Sequence, residues 1–111
     1  MEAEGKKQLF VREGTILYRL DPTDIKWIEV EGNYLYIITE SKRFTLRISL
    51  RKLEQKLPAH QFIKIHRSVI VRFGAIDKVD FSAGVVFVGE KDLPLGPTYK
   101  EKLLTTLELL N

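Results

Sequence analysis
The chain has 111 residues, 44% hydrophobic and 30% charged, with a formal net charge of +3. That is enough chain for one domain with one real core, and no apolar run approaches the ~20 residues of a membrane-spanning helix. The absence of cysteine excludes disulfides and thiolate metal sites and suits a reducing cytoplasm.

Residues 1–7 read as a polar tail without the apolar centre of a signal peptide. Beyond it, short strands dominate. Leu9–Arg12 and Thr15–Leu20 flank Glu13-Gly14, a hairpin signal. Asp24–Val30 alternates Ile25, Trp27 (or its neighbour Ile28) and Val30 with polar residues, and Glu31-Gly32-Asn33 turns the chain into Tyr34–Thr39. Ser41-Lys42 is a further turn before Arg43–Ile48, where Phe44, Leu46 and Ile48 alternate with Arg43, Thr45 and Arg47.

The period then changes. Leu50, Leu53 and Leu57 recur at helical spacing, Ser49 can cap the start and Pro58 stops the run. Strands resume at Phe62–Ile65, Ser68–Arg72, Ala75–Phe81 and Val85–Val88, punctuated by glycines 74, 84 and 89. Pro97 in a first turn and a capping box Thr98-x-x-Glu101 open a last helix with a Leu103, Leu107, Leu110 stripe. The expected fold is mainly β. Antiparallel sheets form an elongated, sandwich-like arrangement, with a short internal helix over about 49–57 and a C-terminal helix over about 97–110. Residues 8–111 form the one domain, and its core is expected around Trp27, Ile28, Ile37, Phe44, Leu46, Ile65, Val69, Val71, Val86 and Phe87.

Charge is unevenly distributed. Lys42 to Arg72 holds nine Lys/Arg and one acid, Glu54, a segment net of +8, while residues 1–41 carry −3 and residues 73–111 carry −2. Solubility alone does not need this asymmetry; a surface that meets a polyanion does. Within the block, Lys42, Arg43, Arg47, Arg51, Lys52 and Lys56 read either as phosphate contacts or as a solvated charged face. The His66-Arg67 step between two apolar strands reads either as a bulge presenting two donors, with arginine able to fork onto guanine, or as an incidental pair on a strand edge. Asn33-Tyr34 reads as an adenine-capable turn or as plain turn chemistry, asparagine tolerating the left-handed conformation. Trp27, Tyr34, Tyr36 and Phe44 are either a base-stacking platform or, for Trp27 and Phe44, core.

Catalysis finds no support. His60 and His66 lack a third ligand at metal spacing, and no phosphate loop, nucleophile elbow or carboxylate pair is present. An enzyme is not expected, nor any cofactor.

Taken in order, the segments Leu9-Phe-Val-Arg12, Asp24-Ile25 to Ile28-Glu29, Gly32-Asn33-Tyr34, Leu46 to Ser49-Leu50, Leu53 to Leu57-Pro58, Phe62-Ile-Lys-Ile-His-Arg-Ser-Val-Ile-Val71 with Ile76, Leu93-Pro-Leu95 and Tyr99-Lys100 resemble the LytTR family of bacterial DNA-binding domains across roughly residues 8–108. The resemblance implies a β-rich fold that inserts loops into successive major grooves of duplex DNA and bends it. It implies base contacts from Asn33 and Tyr34, from His66 and Arg67, and from the segment before the last helix. There the chain departs from the common pattern, carrying Gly96-Pro97-Thr98 where many members have Ser-Arg. Proline has no N–H to donate, so the contact there is either weaker or falls to Thr98 and Lys100, and Thr98 can instead be occupied capping its helix.

On this reading Lys42, Arg43, Arg47, Lys64, Ser68 and Lys100 hold phosphates. The partner is double-stranded DNA at tandem or repeated sites, with a homodimer forming on DNA. A longer parent chain would carry a phospho-acceptor receiver domain, the chain being an output domain or a stand-alone cytoplasmic regulator. Two rivals are a single-strand or RNA-binding β-domain stacking bases on Tyr34 and Tyr36, and a protein-interaction module docking through the leucine stripe.

Overall fold
The computed structural model describes residues 8–111, and the polar tail at 1–7 lies outside the described residues. Its centre is a five-stranded antiparallel sheet in the order β5-β4-β3-β7-β6, built from β3 (Ile25–Glu31), β4 (Tyr34–Thr39), β5 (Arg43–Leu46), β6 (Phe62–His66) and β7 (Val69–Arg72). A hairpin of β1 (Phe10–Glu13) and β2 (Ile16–Arg19) forms a second sheet; β8 (Lys78–Asp80), β9 (Val85–Val88) and β10 (Lys91–Pro94) form a third, in the order β10-β9-β8.

Period-2 patterning gives the central sheet two apolar faces, each with its own core. One face presents Ile28, Leu35, Ile37, Phe44 and Ile70 to Val11 and Leu20 of the hairpin and to Leu50, Leu53 and Leu57 at α1 (Leu50–Glu54). The other presents Ile63, Ile65, Val69 and Val71 to Val86, Val88, Leu93 and Leu95, with Leu103 of α2 (Lys100–Thr106) closing it. This is the expected mainly antiparallel, layered β fold with an internal and a C-terminal helix.

Its details differ from the sequence reading where local chemistry intervenes. A register shift between Ile25 and Trp27 changes the phase of β3, so Ile25 and Ile28 share the buried face. Trp27 is therefore half-buried at the edge of the second core, donating from Nε1 to Glu29 Oε1 at 2.7 Å. Leu46 and Phe87 are likewise only half-buried, and the Phe87 ring lies 4.7 Å beneath the Lys78 ammonium. The expected strand over 75–81 shortens to β8, because Phe73–Ala75 forms a 3-10 turn. β10 was not foreseen; its Asp92 and Pro94 are poor strand formers, tolerated on the sheet's edge.

Both helices are shorter than their periodicity suggests. Ser49 does cap α1, accepting from the Lys52 N–H at 3.0 Å, but beyond Glu54 the chain tightens into Lys56→Leu53 and Leu57→Glu54 bonds, which still bury Leu57. At the other end, Pro97–Tyr99 is a 3-10 turn, which moves the start of α2 past Thr98, so the capping box does not form. The hydroxyls of Thr105 and Thr106 turn back onto the Lys102 carbonyl, and α2 ends at Thr106. Leu103 is fully buried, Leu107 packs at the margin and Leu110 is 96% exposed, so the expected three-leucine stripe does not exist as one surface.

Candidate nucleic-acid interface
One end of the central sheet gathers chain segments that lie far apart in sequence. β3 and β4 close there in the two-residue turn Gly32-Asn33, with Glu31 opposite Tyr34. Gly32 supplies the positive φ of +61°, and an added Cβ would meet nothing within 4 Å, so glycine is required by conformation alone. Asn33 is not left-handed, contrary to the simple turn-chemistry reading; its exposed side chain has no hydrogen-bond partner among the described residues. β5 delivers Arg47 to the same end, its guanidinium 5.7 Å above the Tyr34 ring.

β6 and β7 close there as well, through Arg67-Ser68, with His66 opposite Val69. A register shift between Lys64 and His66 puts an extra residue, Ile65, into β6. Such a bulge re-aims the next side chains, which is how Ile65 stays buried while Arg67 stands in solvent without an ion pair to any described residue. The Val30 N–H donates to the Ser68 carbonyl at 2.9 Å, stitching this turn to the end of β3 beside Gly32-Asn33. On the far side, the Gly96 N–H donates to the Ile65 carbonyl at 2.8 Å and brings Pro97 and the exposed Thr98 alongside. Thr98 is not occupied as a helix cap.

The three segments proposed from sequence to reach bases are therefore neighbours at one sheet end. Between the first two of them and the chain leaving β5 opens a cleft of about 580 Å³, lined by Val30, Ile48 and Leu50 and by Asn33, Tyr34, Arg47, Ser49, Arg67 and Ser68; the Gly96–Thr98 segment lies outside this lining. Ile48 and Ser49 were not foreseen as part of it; their apolar and capping roles gave no sign of the location.

The basic residues divide by position. Arg47 and Arg67 line the cleft together with Ser68, Lys64 lies along β6 outside its lining and Lys100 opens α2 next to Thr98. Arg43 sits at the other end of β5, 4.7 Å above the Tyr36 ring. Lys42 is further still, in the turn before β5. Its ammonium pairs with Glu13 at 3.2 Å and lies 5.0 and 5.2 Å from the Tyr18 and Phe44 rings. The structure thus gives Lys42 a local task, tying the hairpin to β5. Arg72 is also engaged, donating from Nε to the Ile25 carbonyl at 2.6 Å. Among the described residues, no group of three or more His, Cys, Asp or Glu side chains could hold a metal ion, and no helix is long and apolar enough to cross a membrane.

The sequence profile of the LytTr DNA-binding domain matches residues 16–108. The chain is 32% identical over 95 residues to the sensory transduction protein LytT of Enterococcus faecalis, an alignment covering 78% of this chain and 39% of that protein. It is 24% identical over 109 residues to the sensory transduction protein LytT of Bacillus subtilis, covering 95% of this chain and 45% of that protein. It thus spans less than half the length of either relative. The fold superposes with a TM-score of 0.81 on the LytTr DNA-binding domain of a putative methyl-accepting/DNA response regulator from Bacillus cereus, at 20% identity, over 95% of this chain and 100% of that one.

Proposed function
Because the chain belongs to the LytTR family of DNA-binding domains, we propose that it binds duplex DNA sequence-specifically in bacterial transcription regulation, within the cytoplasm. In this reading it inserts the Gly32-Asn33 turn, the Arg67-Ser68 turn and the Gly96–Thr98 segment into successive major grooves and bends the duplex. The observation that carries the reading is the convergence of these three segments at one sheet end, with Asn33 and Arg67 exposed and unpaired among the described residues. Asparagine and arginine are the side chains whose fork geometry matches adenine and guanine edges, so Asn33 and Arg67 carry the direct readout, with Tyr34 and Thr98 beside them. Arg47, Lys64, Ser68 and Lys100 hold backbone phosphates around the cleft, and Arg43 extends the basic track along β5.

The single-strand reading is weaker on geometry, because an arginine guanidinium already lies over one face of each of Tyr34 and Tyr36. The leucine-stripe reading is weaker because Leu103 is spent inside the domain's own core. As relatives are more than twice as long, the proposed setting is the output part of a regulator with a receiver domain, two copies meeting on tandem sites. Selection from a random duplex pool, followed by titration of the selected duplex, its scrambled form and its separate strands, tests the function. Enrichment of a motif, with tightest binding to its duplex, is expected. Equal binding to all three would refute sequence-specific duplex recognition.

A further inference from the structure
His66 stands next to the exposed Arg67 but points elsewhere. Its ring is half-buried, and its Nδ1 accepts from the Ser68 backbone N–H at 3.2 Å while lying 2.9 Å from the Ser68 hydroxyl. A nitrogen that accepts from an amide cannot carry its own proton, so the ring proton sits on Nε2, and the Ser68 hydroxyl rotor is able to donate either to Nδ1 or outward. This is the pattern of an Asx-turn, in which a side-chain acceptor takes the N–H two residues on, with an imidazole in place of the usual asparagine or aspartate. The opposite edge of the ring faces the third segment: a Cβ on Gly96 would lie 3.6 Å from His66 Cδ2 and 3.0 Å from Tyr99 Cδ2. One ring is therefore bonded into the second of the three segments assigned to the DNA and lies beside the third.

We infer that His66 is a positioning residue: its Nδ1 holds the Arg67-Ser68 turn in the conformation that presents Arg67, and its Cδ2 edge braces Gly96 ahead of Thr98. It does not itself read a base. The inference deepens the DNA-binding reading of this sheet end, and the geometry makes it separable from that reading. Asparagine places Oδ1 where histidine has Nδ1, so His66→Asn keeps the acceptor for the Ser68 N–H. Glutamine reaches with its amide to where histidine has Nε2, so His66→Gln keeps an outward donor and loses the turn acceptor.

Titrated on the selected duplex, His66→Asn should bind within about threefold of the unmodified protein. His66→Gln should bind roughly tenfold more weakly, as for one lost hydrogen bond, with its scrambled-duplex affinity unchanged. The reverse order would make Nε2 a base reader and overturn the inference. Equal loss in both variants, or no loss in either, would overturn it too. A second measurement needs no DNA. Imidazole ¹⁵N shifts of the free protein at mildly alkaline pH should show His66 as the Nε2–H tautomer, with an unprotonated Nδ1. A proton on Nδ1 would sink the positioning role even if duplex binding is confirmed. Failure to select any duplex, with the tautomer as expected, would instead count against the DNA-binding reading alone.

Discussion

The placement of the cations makes a sharp contrast between two side chains of the same basic block. Arg47 is at the cleft with no ion pair among the described residues, whereas Lys42 pairs with Glu13 at 3.2 Å. Five residues of extended chain put Lys42 about 17 Å from Arg47. That is roughly twice the Debye length at physiological salt, ~8 Å. Removing Lys42 also frees Glu13 at that remote end, where screening hides the change from DNA at the cleft. With Arg47, Lys64, Arg67 and Lys100 as the cations at the interface, the slope of log K against log salt should be about −3 to −4 at ~0.9 per phosphate. Arg47→Ala should make it shallower by about 0.9 and weaken binding to selected and scrambled duplexes alike. Lys42→Ala should leave the slope unchanged and cost about 0.2 to 1 kcal/mol of stability, as a half-exposed pair does. Titrations of each variant at four or more salt concentrations, with urea melts alongside, decide it. If Lys42→Ala lowers the slope and Arg47→Ala does not, the duplex runs over the other end of the sheet and the interface has been misplaced.

Four further outcomes follow from the same geometry. Arg67→Ala should weaken the selected duplex by about 1 to 3 kcal/mol with little effect on the scrambled one, measured by parallel titration; equal loss on both would reduce Arg67 to a phosphate contact. Leu103→Ala, at a fully buried position, should cost about 2 to 5 kcal/mol by urea unfolding, whereas the exposed Leu110→Ala should stay within ~0.5 kcal/mol. Gly32→Ala places a side chain at φ +61° and should cost about 1 to 2 kcal/mol by the same assay, through conformation and not contact. The Asp21 carboxyl is held below its ordinary value by the Thr23 backbone N–H first and its hydroxyl second. A depressed folded value means this stabilisation is present above the ordinary carboxylate range and is lost as pH falls through the folded value. Asp21→Asn should flatten that acid limb of the stability profile, and an unchanged limb would contradict the assignment.

Period and composition carried most of the fold, and the failures have local causes. Alternation located β4 and β5 well because their buried and exposed residues follow a period of two. It misjudged Trp27 because the irregularity after Ile25 spaces the buried residues of β3 three apart, and nothing in Ile25-Lys-Trp-Ile28 announces that shift. It overran α2 because Leu107 and Leu110 continue the helical spacing, while Thr105 and Thr106, whose hydroxyls compete for the backbone, end the helix first.

The site was legible for a different reason than the fold. A concentration of one sign of charge survives any arrangement of the strands, so the Lys42–Arg72 block pointed to a polyanion before any element was placed. Which of its cations are free depends on partners remote in sequence. Glu13 neutralises Lys42 from 29 positions away, and the Ile25 carbonyl occupies Arg72 from 47 positions away. A charge count cannot see either contact. A bulge at this step is one of the sequence readings, but its effect is not: it separates a buried isoleucine, a half-buried histidine turned inward and an arginine in solvent within three consecutive residues. His66 and Arg67 look like one basic pair in sequence; in three dimensions the first is bonded into the protein and the second stands in solvent with no ion pair among the described residues.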